Sequence, residues 1–277
     1  MNVNRLLFIC VLLLTGVQAR AQYHEVGGML LQSTYTGELS SRNPMPPALD
    51  LGGGLIYRYN FNDRFAFKGS VLYGRFSASD VDSDSEWEQN RNLSVRTSIF
   101  EVSGQIEINF FTYEIGDPRR PSSPYLFMGL SVFRFNPQAE FDDRWIDLQP
   151  LGTEGQGIPG FDERYPLTQV SIPIGIGFKF NIWKNLGGAF ELGLRRTFTD
   201  HLDDVSSTYV DAAVLEEQNG PLSAIMADRS ILPLGPDGDN ADMQRGEINR
   251  KDYYFFGGIM LTYKIGTPRI KCPGARN

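Results

Sequence analysis

Beyond residue 22, apolar and polar side chains alternate with a period of two in segments of roughly ten residues, the length a tilted membrane strand needs. Arg96 to Phe111 shows it most cleanly. Phe100, Val102, Gly104, Ile106, Ile108 and Phe110 share one face, and Ile99, Glu101, Ser103, Gln105, Glu107 and Asn109 share the other. One face suits lipid and the other suits water.

Gln169 to Asn181 repeats the pattern, with Val170, Ile172, Ile174, Ile176, Phe178 and Phe180 opposite Ser171, Gly175, Gly177 and Lys179. Pro173 interrupts it; proline cannot donate to a ladder, so a local bulge is expected there. Arg64 to Phe76 and Gly187 to Phe198 alternate as well, as does Asp252 to Ile265. Glu25 to Tyr35, Ala48 to Asn60 and Pro124 to Asn136 complete a set of eight strands. The triplet Gly52, Gly53 and Gly54 lies inside one of them with no Lys-Ser/Thr after it, so it reads as barrel curvature and not as a phosphate loop.

The connections sort by parity. The first, third, fifth and seventh span about 36–47, 77–93, 137–167 and 199–251, and those between them span only about 60–64, 111–123 and 182–186. Short turns at one end and long loops at the other are the signature of an eight-stranded antiparallel up-and-down transmembrane β-barrel with long extracellular loops and both termini periplasmic. The opposite faces carry Lys68, Glu101, Glu107, Lys179, Glu191, Arg195 and Lys264. In a soluble sandwich or lipocalin-like barrel these charges would all share the outer face; in a membrane barrel they face inward. A barrel of eight strands is filled by side chains, so a mixed-sign set reads as a salt-bridged plug in preference to an ion path. Trp183 in a short turn fits an interfacial aromatic belt.

Residues 1–21 read as a signal peptide: Arg5, the unbroken apolar run Leu6 to Leu14, and a small-x-small site at Ala19-Arg20-Ala21. Cys10 lies inside the apolar run after Phe8 and Ile9, which argues against a lipoprotein signal. Cleavage after Ala21 leaves 24 Lys/Arg against 33 Asp/Glu, a net charge of −9, and one cysteine, Cys272. The barrel is then 22–265, and 266–277 is a short basic periplasmic tail with Arg269, Lys271 and Arg276 and no acid. A leftover thiol in an oxidising compartment suggests an intermolecular bond or a reactive group, against the plainer reading of an inert tail residue.

Two histidines leave little for His-based catalysis or zinc. Neither His24 nor His201 gains a serine neighbour by alternation, which disfavours a lipid-modifying hydrolase, and no catalytic residue, metal or cofactor is expected. His201 stands among Asp200, Asp203 and Asp204; a calcium site is conceivable there, but the spacing is not that of an EF-hand loop, and solvated loop acids are the expected reading. The connection 199–251 holds eleven Asp/Glu and four Lys/Arg, a poor partner for nucleic acid or anionic lipid.

Several stretches together resemble one known family. These are Leu148-Gln149-Pro150-Leu151-Gly152-Thr153-Glu154-Gly155-Gln156-Gly157, then Arg195-Arg196-Thr197-Phe198-Thr199-Asp200 with Leu202-Asp203-Asp204-Val205-Ser206, and the shorter Tyr57-Arg58-Tyr59-Asn60 and Phe133-Arg134-Phe135-Asn136-Pro137. The chain is similar over almost its whole mature length to the PorG family of Bacteroidetes type IX secretion outer-membrane barrels. His201 departs from the tyrosine expected there. The resemblance implies a non-enzymatic component set in outer-membrane lipid that anchors or positions a periplasmic ring of a PorK-like lipoprotein and a PorN-like subunit. It further implies that Cys272 is a candidate for a disulfide with that lipoprotein, steered by Arg269 and Lys271. The competing classes are a stand-alone surface binding protein, using the loops at 137–167 and 199–251, and the hydrolase.

Overall fold

A computed structural model describes residues 23–39, 50–235, 239–247 and 251–266. The signal peptide, Arg269, Lys271 and Cys272 lie outside the described residues.

The alternating segments are strands. In chain order they are β1 (Tyr23–Thr36), β2 (Leu51–Asn60), β3 (Phe65–Ser79), β4 (Ser94–Asn109), β5 (Ser122–Phe141), β6 (Arg144–Asp147), β7 (Thr168–Asn181), β8 (Leu186–Thr197) and β9 (Tyr253–Ile265). Each pairs antiparallel with its neighbour, β1 pairs with β9, and a β4–β5 ladder completes the ring. Eight strands thus form a closed up-and-down barrel, all-β as its alternation requires, and no backbone edge is left within the ring. The ninth strand, β6, lies outside it.

That extra strand revises the expected connection 137–167. β5 runs five residues past Asn136 and turns back through Asp142 and Asp143, whose φ angles of 50° and 59° give the left-handed pair a two-residue hairpin needs. Asx residues tolerate that region better than most, so the Asp-Asp pair is the local signal for the turn.

Pro173 does not produce a bulge. The β7–β8 register passes through it unbroken, with Pro173 opposite Arg195, and the β5–β7 register is the same before and after it. Two pairs drop out of the β5 side alone, as expected when one strand loses a donor without gaining a residue.

The faces divide as the alternation predicts. Leu55 is 72% exposed and Leu130 71%, with Leu30, Ile176, Leu192 and Ile259 among the outer belt, whereas Glu101, Glu107 and Arg195 inside are at 0%. A soluble barrel has the reverse polarity; this outer surface is suited to lipid. Inward glycines shape the interior. A Cβ on Gly177 would stand 2.3 Å from the Tyr125 ring, and one on Gly175 2.4 Å from the Phe127 ring, so these two positions leave room for the aromatic side chains paired opposite them on β5. Near the short-turn end, Phe110, Phe111, Ile182 and Trp183 are exposed, Trp183 at 73%.

Candidate functional site

The lumen is packed by buried clusters of paired polar side chains. Glu107 on β4 accepts Arg58 Nε at 2.7 Å and Lys179 Nζ at 2.6 Å, with Lys68 Nζ 3.6 Å away. Arg58 continues to Glu25, which also accepts Asn60 Nδ2 at 2.9 Å; Lys68 continues to Glu191, which takes the Tyr125 hydroxyl at 2.7 Å. Nearer the long loops, Glu101 accepts the Tyr254 hydroxyl at 2.6 Å and Arg195 Nε at 3.3 Å. Each of these side chains is on a strand, and alternation is what aims it inward.

Six of the seven charges expected inside are therefore buried together. The seventh, Lys264, lies at the short-turn rim, where its Nζ donates to Glu114 at 2.9 Å and to the Ile115 carbonyl at 3.2 Å. Tyr113 and Ile115, from the turn between β4 and β5, are buried beside it. Sequence reasoning missed Glu25 and Arg58. The alternation of Leu55, Tyr57 and Tyr59 against Ile56, Arg58 and Asn60 carried the signal, but three glycines at the head of β2 weaken the pattern.

At the other end the long connections fold into a cap, and its acids are not solvated as the spacing suggested. Asp200, Asp203 and Asp204 are at 3%, 1% and 0% exposure. The Leu148–Gly157 stretch supplies their neighbours. Its Glu154 accepts Arg245 Nη1 at 2.8 Å, the Ser206 N–H at 2.9 Å and the Ser207 hydroxyl at 2.8 Å. Thr153 and Tyr165 each donate a hydroxyl to Asp204 at 2.5 Å, and Arg245 binds the Asp204 carbonyl at 2.6 Å. Asp203 takes the Tyr35 hydroxyl at 2.8 Å and the Val205 N–H at 3.0 Å, tying β1 to the cap. Arg91 joins Asp80 at 2.6 Å to the Arg245 carbonyl at 2.6 Å.

Burial, set against Arg245, pushes the Asp204 carboxyl up to about 7. Burial likewise raises Asp200 to about 6, and burial with the nearby Asp203 carries Asp252 well above the carboxylate range. Glu154 moves the other way: burial opposes its charge, but Arg245 and the Ser206 N–H outweigh it and hold the group low. Burial lowers His201, whose ring stacks on Tyr165 at 4.4 Å and 12°. His24, at the far end, has its Nδ1 2.7 Å from the Tyr57 hydroxyl. Chemically the arrangement offers a lumen filled with paired charges and a hydrogen-bonded cap rich in buried acids.

A family model described as a domain of unknown function (DUF6089) matches residues 4–219. No curated protein matches the chain. Among solved structures, the chain is similar to the attachment invasion locus protein Ail of Yersinia pestis at 11% identity and a TM-score of 0.42, covering 89% of this chain and all of that one. It is similar to the Neisserial surface protein NspA at 11% identity and 0.43, covering 87% and 97%. OprG of Pseudomonas aeruginosa follows at 8% and 0.37, covering 90% and 98%.

Proposed function

The chain belongs to the DUF6089 family, and from its filled, charge-balanced lumen we propose a non-enzymatic outer-membrane barrel that anchors or positions a periplasmic ring of the type IX secretion machinery. The lumen carries this reading: an interior occupied by paired charges, with Tyr113 and Ile115 buried at its short-turn end, supports a barrel that transports nothing itself. What remains useful is its fixed position in a bilayer and the surfaces it offers at each end. The apolar outer belt and the parity of short turns support a bilayer setting with both termini on the periplasmic side.

The type IX assignment, with PorK-like and PorN-like ring subunits as partners, rests on the resemblance of the quoted segments. Docking would use the turns at 60–64, 111–123 and 182–186 together with the basic tail, where Cys272 is the candidate for a covalent link. A second reading keeps the barrel and drops the ring: a stand-alone surface protein that binds through its cap, favoured by the extent to which that cap is built and hydrogen-bonded.

Deletion of the gene separates the two. Loss of a ring anchor makes type IX cargo accumulate in the periplasm, and cross-linking from the short turns should capture ring subunits. Normal extracellular cargo would overturn the secretion role and leave the surface protein. Non-reducing gels of thiol-blocked membranes report on Cys272: a high-mass band lost in Cys272→Ser supports the link, and a monomer alone refutes it.

A further inference from the structure

At the base of the cap, three carboxylates from two connections converge. Glu38 follows β1, and Asp200 and Asp252 stand at the two ends of the β8–β9 connection; one oxygen of each lies within 4.8 Å of the others. Asp200 is 3% exposed and Asp252 0%, so bulk water does not solvate them.

The hydrogen bonds of Asp200 and Asp252 engage one oxygen of each. Asp252 Oδ2 accepts the Leu202 N–H at 2.8 Å and Asp200 Oδ2 accepts the Ser206 hydroxyl at 3.0 Å. The Oδ1 atom of each is buried and has no hydrogen-bond partner among the described residues. Lys251, an exposed side chain, brings its Nζ to 3.9 Å from Asp200 Oδ2 and gives Asp252 no ion pair. Two buried carboxylate oxygens left open beside a third carboxylate make an arrangement that a bound cation would complete.

The donor set and its size narrow the choice of ion. Carboxylate oxygens suit hard divalent cations. Magnesium keeps several of its waters and takes one or two carboxylates, whereas calcium accepts a carboxylate-rich shell, so three carboxylates within 4.8 Å of one another, two of them buried, fit calcium better.

We propose that Glu38, Asp200 and Asp252 form a calcium site that clasps the β1–β2 connection to both ends of the β8–β9 connection. The ion replaces mutual repulsion by a shared ligand, so the order of the cap depends on divalent metal. This holds whether or not the barrel serves secretion.

The test uses the mature full-length barrel in detergent, stripped with EDTA and titrated calorimetrically with calcium chloride. Saturable one-to-one binding is expected, with a Kd of about 1 mM or tighter, the range of extracellular calcium modules. Trypsin cleavage at Lys251 should slow at least about tenfold once the site fills, while magnesium chloride binds at least about tenfold more weakly. Asp252→Asn keeps an acceptor for Leu202 and Glu38→Gln alters a partly exposed side chain; each should weaken calcium binding about tenfold or more. Folding of both is verified by heat-modifiable gel mobility, and Glu38→Gln decides the matter if Asp252→Asn does not fold. No binding by the wild-type protein up to about 10 mM calcium, unchanged affinity in the folded variants, or equal affinity for magnesium overturns the assignment.

Discussion

The lumen and the cap both keep charge from water, by opposite means. In the lumen, Glu25, Glu101, Glu107 and Glu191 face Arg58, Lys68, Lys179 and Arg195, four acids against four cations, all nearly inaccessible. In the cap, Asp80, Glu154, Asp200, Asp203, Asp204 and Asp252 are buried against two guanidinium groups, Arg91 and Arg245. The lumen is neutralised by ion pairs. The cap instead surrounds its surplus carboxylates with hydroxyl and N–H donors from Thr153, Tyr165, Tyr35, Ser206 and Val205. Removal of one charge should therefore harm the first region and spare the second.

The largest effect is expected at Glu107. It holds Arg58 and Lys179 directly and has Lys68 nearby, so Glu107→Gln leaves three buried cations short of their common counter-ion. The expected cost is about 3–5 kcal/mol, the range for breaking a buried pair from one side. Urea unfolding of the detergent-solubilised barrel measures it. A loss below about 1 kcal/mol, the scale of an exposed pair, would show that the network contributes packing and little else.

The same contrast explains what was legible in the sequence. Strand parity depends only on neighbours two residues away, so β4 disclosed its inward Glu101 and Glu107 and its outward Phe100 and Ile106 without knowledge of the fold. Where glycines replace the apolar markers, as at the head of β2, the inward Arg58 was hidden. The cap has no period to read. Glu154 meets Arg245 across 91 positions and Asp204 meets Tyr165 across 39, so a run of acids next to His201 looked like solvated loop until long-range packing buried it. The Leu148–Gly157 stretch stood out as a likeness, and its physical role, bracing Asp204 and the Ser206–Ser207 backbone through Thr153 and Glu154, needed the structure.

An effect of opposite sign is expected at Asp204. Its folded carboxyl titrates near 7 against about 3.9 for a free aspartate, so between those values the folded state binds more protons than the unfolded one. Stability from this group is thus present at low pH, falls as pH rises from about 4 to about 7, and is level above. Asp204→Asn cannot ionise, and its amide can still serve both Thr153 and Tyr165. Relative to the wild-type protein, the variant should gain stability across that window and differ by under about 1 kcal/mol at pH 4. Hydrogen exchange of the cap amides at pH 4.5 and 8 reads the difference. A deficit in the variant that widens with pH would contradict the raised titration.

The smallest effect is expected where the chain departs from the tyrosine of the family it resembles. The His201 ring lies flat on Tyr165, which is itself stacked on Phe135 at 6.1 Å and 8°, and its Nδ1 is buried with no hydrogen-bond partner among the described residues. The contact described for this position is the stack of its aromatic plane. Because burial lowers its titration, the folded state binds fewer protons than the unfolded one as pH falls below about 6.5, and the wild-type protein loses stability there. His201→Tyr keeps the stack and removes that loss. At pH 8 it should change stability by less than about 1 kcal/mol, the scale of one aromatic pair, and at pH 5 it should be the more stable form. The trend with pH runs opposite to that of Asp204→Asn, so urea midpoints of both variants at the two pH values separate a neutral stacked ring from a buried acid within one cap. Equal offsets for His201→Tyr at pH 5 and pH 8 would mean that the imidazole does not feel its burial, and the stacking account would fail with it.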